Sequence, residues 1–213
     1  MSLSPKQDFI RAFFDDFGRK IDRLKELDAK GFKDEAFTLC VVYIDRLASG
    51  NYGSEPGRSA EVFCQALREL GGNPLFGMIH SRELLERTKE RLPVAAPLIE
   101  SLVNKQPGAL LSESELGQEI RKSSLLEPDK QNLILHLWRA SMANICYEYI
   151  RNPQIHGAGS IGLSFGETTF DGEKAVRLDF HVLHAALVKI LAHIRNISIK
   201  TGEWFGRPTH LKS

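Results

Sequence analysis

The spacing of apolar residues along the chain predicts a mainly helical protein. In the N-terminal segment, apolar side chains recur every three or four residues, as they do on one face of an α-helix. The predicted buried stripe is Phe9, Phe13, Phe17, Ile21 and Leu24. Ser4 and Gln7 have the spacing of a capping box around Pro5, so this helix is predicted to begin there. Gly31 is predicted to end it.

Further helices follow with the same period. Residues 33–49 and 59–70 each carry an apolar face. The stretch 75–123 has weaker patterns, which predict several extra short helices. A strong pattern then begins at Pro128 and continues to Ile150, which predicts one long helix.

The period changes to two after this helix. Asp171-Gly172 is a typical two-residue hairpin turn between alternating segments. The alternating apolar positions are Leu163, Phe165, Val176, Leu178 and Phe180. From His181 the helical period returns, with apolar residues at Leu183, Leu187, Ile190, Leu191, Ile194 and Ile197. We therefore predict a single, mainly all-α domain over 1–213, with one β-hairpin near 161–182 before the last long helix.

The charge balance offers no global basic field to attract nucleic acid. Lys and Arg number 28 against 27 Asp and Glu, for a net charge of +1. A nucleic-acid partner would have to bind a local patch. One candidate is the C-terminal stretch, where Glu203 is outnumbered by Lys189, Arg195, Lys200, Arg207 and Lys212. The alternative is an ordinary solvated helix face and tail.

Cysteine usage and hydropathy favour a cytoplasmic protein. Cys40, Cys64 and Cys146 are odd in number, far apart and set in apolar helical patterns. This predicts buried thiols and not disulfides. The N-terminus lacks a secretory apolar core, and no uninterrupted apolar run approaches the length of a bilayer span. We expect a soluble protein without a membrane partner.

One short motif carries candidate chemistry. The sequence RNPQIH places Arg151, Asn152 and His156 around Pro153, where a helix must kink or end because proline lacks the backbone donor. Arginine is a fixed cationic fork suited to phosphate, histidine exchanges protons near neutral pH, and asparagine can orient either one. Tyr149 precedes the motif and could stack on a base.

These residue types would suffice for metal-free cleavage of an RNA phosphodiester. His156 would activate the ribose 2′-hydroxyl or protonate the leaving 5′-oxygen, and Arg151 would stabilise charge that builds on the phosphate. The alternative is structural, because Arg and His near a helix C-terminus also complement its dipole, and Asn-Pro is a common way to leave a helix.

The motif resembles that of the HEPN superfamily, which has an arginine, a polar residue, a short spacer and a histidine. The early helix LCVVYIDRLAS is also similar to that of HEPN-like proteins. The resemblance implies an up-and-down helical bundle that forms a homodimer, with two motifs building one RNase site at the interface. It matches Arg151, Asn152 and His156 to the family positions.

Other chemical patterns are weaker. His181, His184 and His193 have a spacing that can bind metal, but no carboxylate or cysteine joins them, so we assign them capping or partly buried roles. GAGSIG does not link a strand to a helix and is not expected to bind a dinucleotide. We expect no metal or cofactor. Trp138 is assigned to the core or a dimer interface, and Trp204 is expected to cover an apolar patch.

The sequence thus predicts a metal-independent, homodimeric endoribonuclease of HEPN type, as found in toxin–antitoxin or antiviral systems. RNA is its expected substrate and an antitoxin protein a possible partner. The alternative is a non-catalytic helical module that binds RNA, a nucleotide or a protein.

Overall fold

The fold was analysed on a computed structural model, which describes residues 4–53, 55–105, 110–148, 167–170, 173–176 and 180–207. It is a mainly α-helical bundle with a β-hairpin before the last long helix, so the predicted fold class is confirmed. The described residues form two compact units. That the whole chain is a single domain remains a prediction.

The described part of the first unit contains four α-helices. They are α1 (Pro5–Ala29), α2 (Lys33–Tyr52), α3 (Ser59–Glu69) and α9 (Phe180–Thr201). Helices α1, α2 and α9 pack against one another, and α3 packs against α2. Helix α9 supplies a continuous buried face that includes Leu183, Leu187, Ile190 and Ile194. The apolar stripe of this last helix was predicted at these positions.

Helix α1 begins as predicted but turns a different face inward. The Ser4 hydroxyl accepts from the Gln7 amide, and the Gln7 side chain accepts from the Ser4 amide, which completes the capping box. The buried residues are Ile10, Phe14, Phe17, Ile21 and Leu24. Phe9 is 73% exposed and Phe13 is 36% exposed, so the predicted stripe was wrong at its first two positions.

The second unit is built from five helices, α4 to α8, with a small antiparallel pair. The helices are α4 (Ser81–Arg91), α5 (Ala96–Lys105), α6 (Glu113–Lys122), α7 (Glu127–His136) and α8 (Met142–Cys146). Strands β1 (Ile79–His80) and β2 (Leu110–Leu111) pair antiparallel and were not predicted. The core includes Ile79, Ile99, Leu111, Ile120 and Leu137.

The hairpin consists of β3 (Glu167–Phe170) and β4 (Glu173–Val176). The strands are antiparallel, with Phe170 opposite Glu173 in the register, and Asp171-Gly172 lies outside the described residues. Leu163, Phe165 and Leu178 lie outside the described residues. Phe180, which the alternating pattern assigned to a strand, is instead the first residue of α9 and is buried. The last residue of the alternating pattern therefore belongs to a helix and not to a strand.

Helix α9 also bears on the expectation about membranes. Among the described residues it is the one helix whose length and composition would allow it to cross a membrane, with a mean hydropathy of 1.3 over its most apolar window. Length and composition alone do not make it a membrane span, and the expectation of a protein without a membrane partner stays a prediction. Of that window, 44% is buried inside the fold.

All three cysteines are buried and none forms a disulfide, as predicted. Burial raises the pKa of the Cys40 and Cys64 thiols because a thiolate would lose its hydration. These thiols therefore behave as apolar packing groups at neutral pH.

An aromatic turn covers the outer side of the bundle after α9. Trp204 packs edge-on against Phe13, with ring centroids 5.3 Å apart, so the predicted role of Trp204 is confirmed. Phe205 follows in a left-handed conformation, at φ 54°, and packs against Phe14 at 5.7 Å. A Cβ at Gly50 would overlap the Phe205 ring. Because Gly50 has no side chain, the aromatic turn can pack closely against α2.

We expect Gly50→Ala to lower the free energy of unfolding by about 1–3 kcal/mol, the usual cost of overfilling a packed site. Thermal and urea unfolding followed by circular dichroism would measure it. Gly117→Ala is the matched control, because a Cβ there meets Arg121 Nη1 at an ordinary 3.7 Å. The control should be neutral or gain about 0.5–1 kcal/mol as a helical alanine. Equal stability of Gly50→Ala and wild type would contradict the close approach.

Candidate functional site

The helix that leads to the RNPQIH motif is interrupted. The pattern from Pro128 to Ile150 predicted one long helix, but α7 ends at His136 and a 3₁₀ turn follows over Leu137–Ala140. Ser141 is then fully extended, with φ −71° and ψ 154°. The prediction of one continuous helix is wrong, and the motif follows a short helix instead.

A long-range backbone contact explains the interruption. Ser141 forms a β-bridge with Ile79, and the Met142 amide donates to the Met78 carbonyl at 2.9 Å. The Ser141 hydroxyl then accepts from the Asn144 amide at 3.3 Å, which starts α8 as an N-cap. The chain leaves the helical conformation at Ser141 because an extended segment elsewhere in the unit supplies its hydrogen-bond partners.

The last described residues before the motif are firmly packed. Tyr147 and Glu148 adopt π-helical hydrogen bonding, a local widening that is frequent near functional sites. The Tyr147 ring is buried against Phe63 of α3, with centroids 5.6 Å apart. Tyr147 is therefore a core residue of the first unit.

The predicted site residues themselves are not placed. Tyr149, Arg151, Asn152 and His156 lie outside the described residues, and so does Pro153. Their assigned roles remain predictions from the sequence.

Two histidines of α9 lie near groups of α1. His184 is 2% exposed, and its Nε2 lies 3.1 Å from the Ile21 carbonyl oxygen, so Nε2 carries the proton and donates. His181 is exposed, 3.9 Å from Asp28 Oδ2. Within the described ranges, no group of three or more His, Cys, Asp or Glu side chains is arranged to hold a metal ion.

The C-terminal basic stretch is partly neutralised by contacts within its own unit. Arg195 Nη2 lies 2.8 Å from Asp15 Oδ1, and Lys189 Nζ donates to the Gly72 carbonyl at 3.0 Å. Lys6 pairs with Glu203 at 2.8 Å. Two cations of the stretch, Lys189 and Arg195, therefore have partners within the unit, and Lys212 lies outside the described residues.

Sequence reasoning missed a second polar site, a cavity in the second unit. It is lined from α4 by Arg87 and Arg91, and from α7 and the turn after it by Asn132, His136 and Arg139. The signal was present as cations at i and i+4 on α4 and as polar residues at helical spacing on α7. Neither set stands out, because such patterns usually belong to solvated faces.

No family model, no curated protein and no solved structure matched this chain.

The buried His184 and the half-buried His80 give a pH-dependent stability. Burial lowers the pKa of His184, and its bond to the Ile21 carbonyl offsets part of this effect. Burial likewise lowers the pKa of His80, whose Nδ1 accepts from the Glu83 amide. Both are neutral in the folded state, whereas the unfolded chain binds protons at the ordinary pKa of about 6.5. Stability is therefore complete above about pH 6.5 and falls as the pH drops through that value.

We expect His184→Gln to weaken this loss of stability between about pH 7.5 and 5.5, measured by urea unfolding at each pH, since it removes one titrating group. The substitution should also lower the free energy of unfolding by roughly 1–3 kcal/mol at neutral pH, because it disturbs the hydrogen bond to the Ile21 carbonyl. His181→Gln is the control, because His181 is 70% exposed. Parallel pH profiles for the two variants would contradict this assignment.

Proposed function

We propose that this chain is a metal-independent endoribonuclease of HEPN type, acting as a toxin or antiviral effector. The observation that carries the proposal is the motif Arg151-Asn152-Pro-Gln-Ile-His156. It is supported by the helical bundle and by the π-helical hydrogen bonding at Tyr147 and Glu148, which precede the motif in the sequence. RNA is the proposed substrate, Tyr149 a proposed base contact, and an antitoxin protein a possible partner.

The proposed reaction is a transesterification within RNA. His156 accepts the proton of the ribose 2′-hydroxyl, and the 2′-oxygen attacks the adjacent phosphorus. The bond from phosphorus to the 5′-oxygen breaks, and that oxygen takes up a proton from an imidazolium. The products are a 2′,3′-cyclic phosphate and a 5′-hydroxyl. Arg151 stabilises the charge on the phosphate, and Asn152 orients the reacting groups.

A composite site requires two copies of the motif. One histidine would act as base and its copy from the second subunit as acid, with the same surface used on both subunits. The described residues offer apolar surface for assembly. Leu126, the N-cap of α7, is 73% exposed and Leu135 on α7 is 69% exposed, while Leu133 and Leu137 are buried in their own unit.

The second candidate is a non-catalytic module that binds RNA, a nucleotide or a protein. It is favoured by the net charge of +1 and by the local partners of Lys189 and Arg195. The affinity of a protein for RNA depends strongly on cations that neutralise phosphates. A chain with little excess positive charge is therefore expected to bind RNA weakly in general.

We expect His156→Ala to lower RNA cleavage by roughly 10²- to 10⁴-fold, the usual contribution of one positioned acid–base group. Arg151→Ala should cause comparable loss, and Arg151→Lys should not restore full activity because a point charge cannot replace a planar fork. Asn152→Ala should be milder. The measurement pairs cleavage rate with melting temperature for each variant, and stability should change by less than about 1 kcal/mol.

The paired measurement separates the candidates. A structural motif would lower the melting temperature and leave any activity unchanged. Wild-type protein that binds RNA without cutting it, together with equal binding by His156→Ala, would replace the enzyme with the binding module. Chelator should have no effect on cleavage. Loss of cleavage with EDTA and recovery with zinc or magnesium would contradict the metal-independent mechanism.

Light scattering at micromolar concentration should give twice the 23.9 kDa chain mass, because two motifs are needed for one site. Mixing His156→Ala with Arg151→Ala chains gives a sharper test. Recovery of activity in the mixture would require residues from two subunits in one site. A monomer that cleaves RNA would exclude the composite arrangement.

A further inference from the structure

The second unit contains a cavity of about 100 Å³ between α4 and the segment that runs from α7 into the 3₁₀ turn. This is room for several water molecules or for a small ligand group. One side of the cavity is apolar and is formed by Leu84, Leu92, Leu133 and Ala140. Leu84, Leu133 and Ala140 are themselves buried, so this side belongs to the core of the unit.

The polar side of the cavity is cationic. Arg87, Arg91 and Arg139 line it together with His136, and none of the described residues that line it is acidic. Arg87 is held in place by Glu83, whose Oε1 accepts from Nε at 2.7 Å and from Nη2 at 2.6 Å. Both side chains are largely buried, at 17% and 16% exposure, so this pair is a fixed part of the wall.

Arg139 is the residue that points to a ligand. Its Nε is buried and has no hydrogen-bond partner within the part of the chain that the structure describes. The residue is held from two sides, because its carbonyl accepts from Asn144 Nδ2 at 2.7 Å and its Cζ lies 5.7 Å from the Trp138 ring centroid. A buried guanidinium donor without a partner is costly and is expected to be satisfied by an anion.

His136 adds a defined hydrogen-bonding group. Its Nδ1 lies 2.8 Å from the Asn132 carbonyl oxygen, which can only accept, so Nδ1 carries a proton. In this tautomer the second ring nitrogen, Nε2, is an acceptor, so the arginines and not His136 would donate to an anion.

We propose that this cavity binds a small phosphate monoester that carries an apolar group. Cations on two different elements, Arg91 on α4 and Arg139 after α7, suit a dianion with several terminal oxygens better than a carboxylate, which one arginine fork satisfies. The apolar side would receive the ester group, since ligand pockets typically combine an apolar wall with a few orienting polar groups. This site is separate from the RNPQIH motif and does not depend on the proposed RNase activity.

Calorimetric titration of the full chain with phenyl phosphate tests the proposal, with inorganic phosphate and phenol as comparison ligands. Phenyl phosphate should bind saturably and more tightly than inorganic phosphate, and phenol should not bind. Arg139→Gln and Arg91→Gln should each weaken binding by about tenfold or more, as expected for loss of a charge-assisted hydrogen bond. Arg82→Gln is the matched control, because Arg82 lies on the same helix, 67% exposed and paired with Glu86.

Each alternative result overturns the proposal. Failure of wild type to bind phenyl phosphate at millimolar concentration would do so, and so would equal affinity for inorganic phosphate. Undiminished binding by Arg91→Gln would also exclude this cavity. That variant keeps the test valid if Arg139→Gln unfolds, since Arg91 is exposed and makes no ion pair within the described residues.

Discussion

The first unit depends on the packing of α9 against α1 and α2. These helices come from opposite ends of the chain, and the His184–Ile21 hydrogen bond joins residues 163 positions apart. The three-helix core forms only when α9 packs against α1 and α2. The entropy lost in closing the long connection between them must therefore be offset by burial of the apolar face of α9. The helix is unusually apolar for this reason, which also explains why its composition resembles that of a membrane span.

This arrangement also bears on the motif. The chain leaves the first unit after α3, and Tyr147 marks its return, buried on Phe63. Phe180 then begins α9. Both flanks of the segment that carries Arg151 and His156 are therefore anchored in the core of one unit.

Local signals predicted most of the helices. The cap at Ser4 acts through neighbouring backbone groups, so three or four residues of sequence are enough to identify it. The stripe of α1 failed at Phe9 and Phe13 because aromatic residues occur on both faces of that helix. Trp204 covers Phe13 from a remote part of the chain, and periodicity within α1 contains no information about it.

The missed features share a non-local cause. The helical period runs without a break from Pro128 to Ile150, yet Ser141 pairs with Ile79, and no local pattern announces a partner 62 residues away. The basic cavity was missed for the same reason. In the sequence, Arg91 and Arg139 each look like part of a solvated helix face, and only the packing of α4 against the turn after α7 brings them to one cavity. The motif residues were identified by type and spacing alone, which suffices to suggest chemistry but not geometry.

The distribution of charge constrains how the proposed enzyme would hold RNA. Arg195 and Lys189, the first cations of the basic stretch, have partners in Asp15 and the Gly72 carbonyl, and recruiting them for phosphate would break these contacts. With a net charge of +1, the chain lacks the excess cations that give most RNA-binding proteins a steep dependence on salt. Substrate would have to be held by a few phosphate contacts close to Arg151 and by stacking, as on Tyr149. Such an enzyme would cleave single-stranded or flexible segments, whose bases are accessible for stacking, in preference to duplexes, which are bound through extended phosphate contacts.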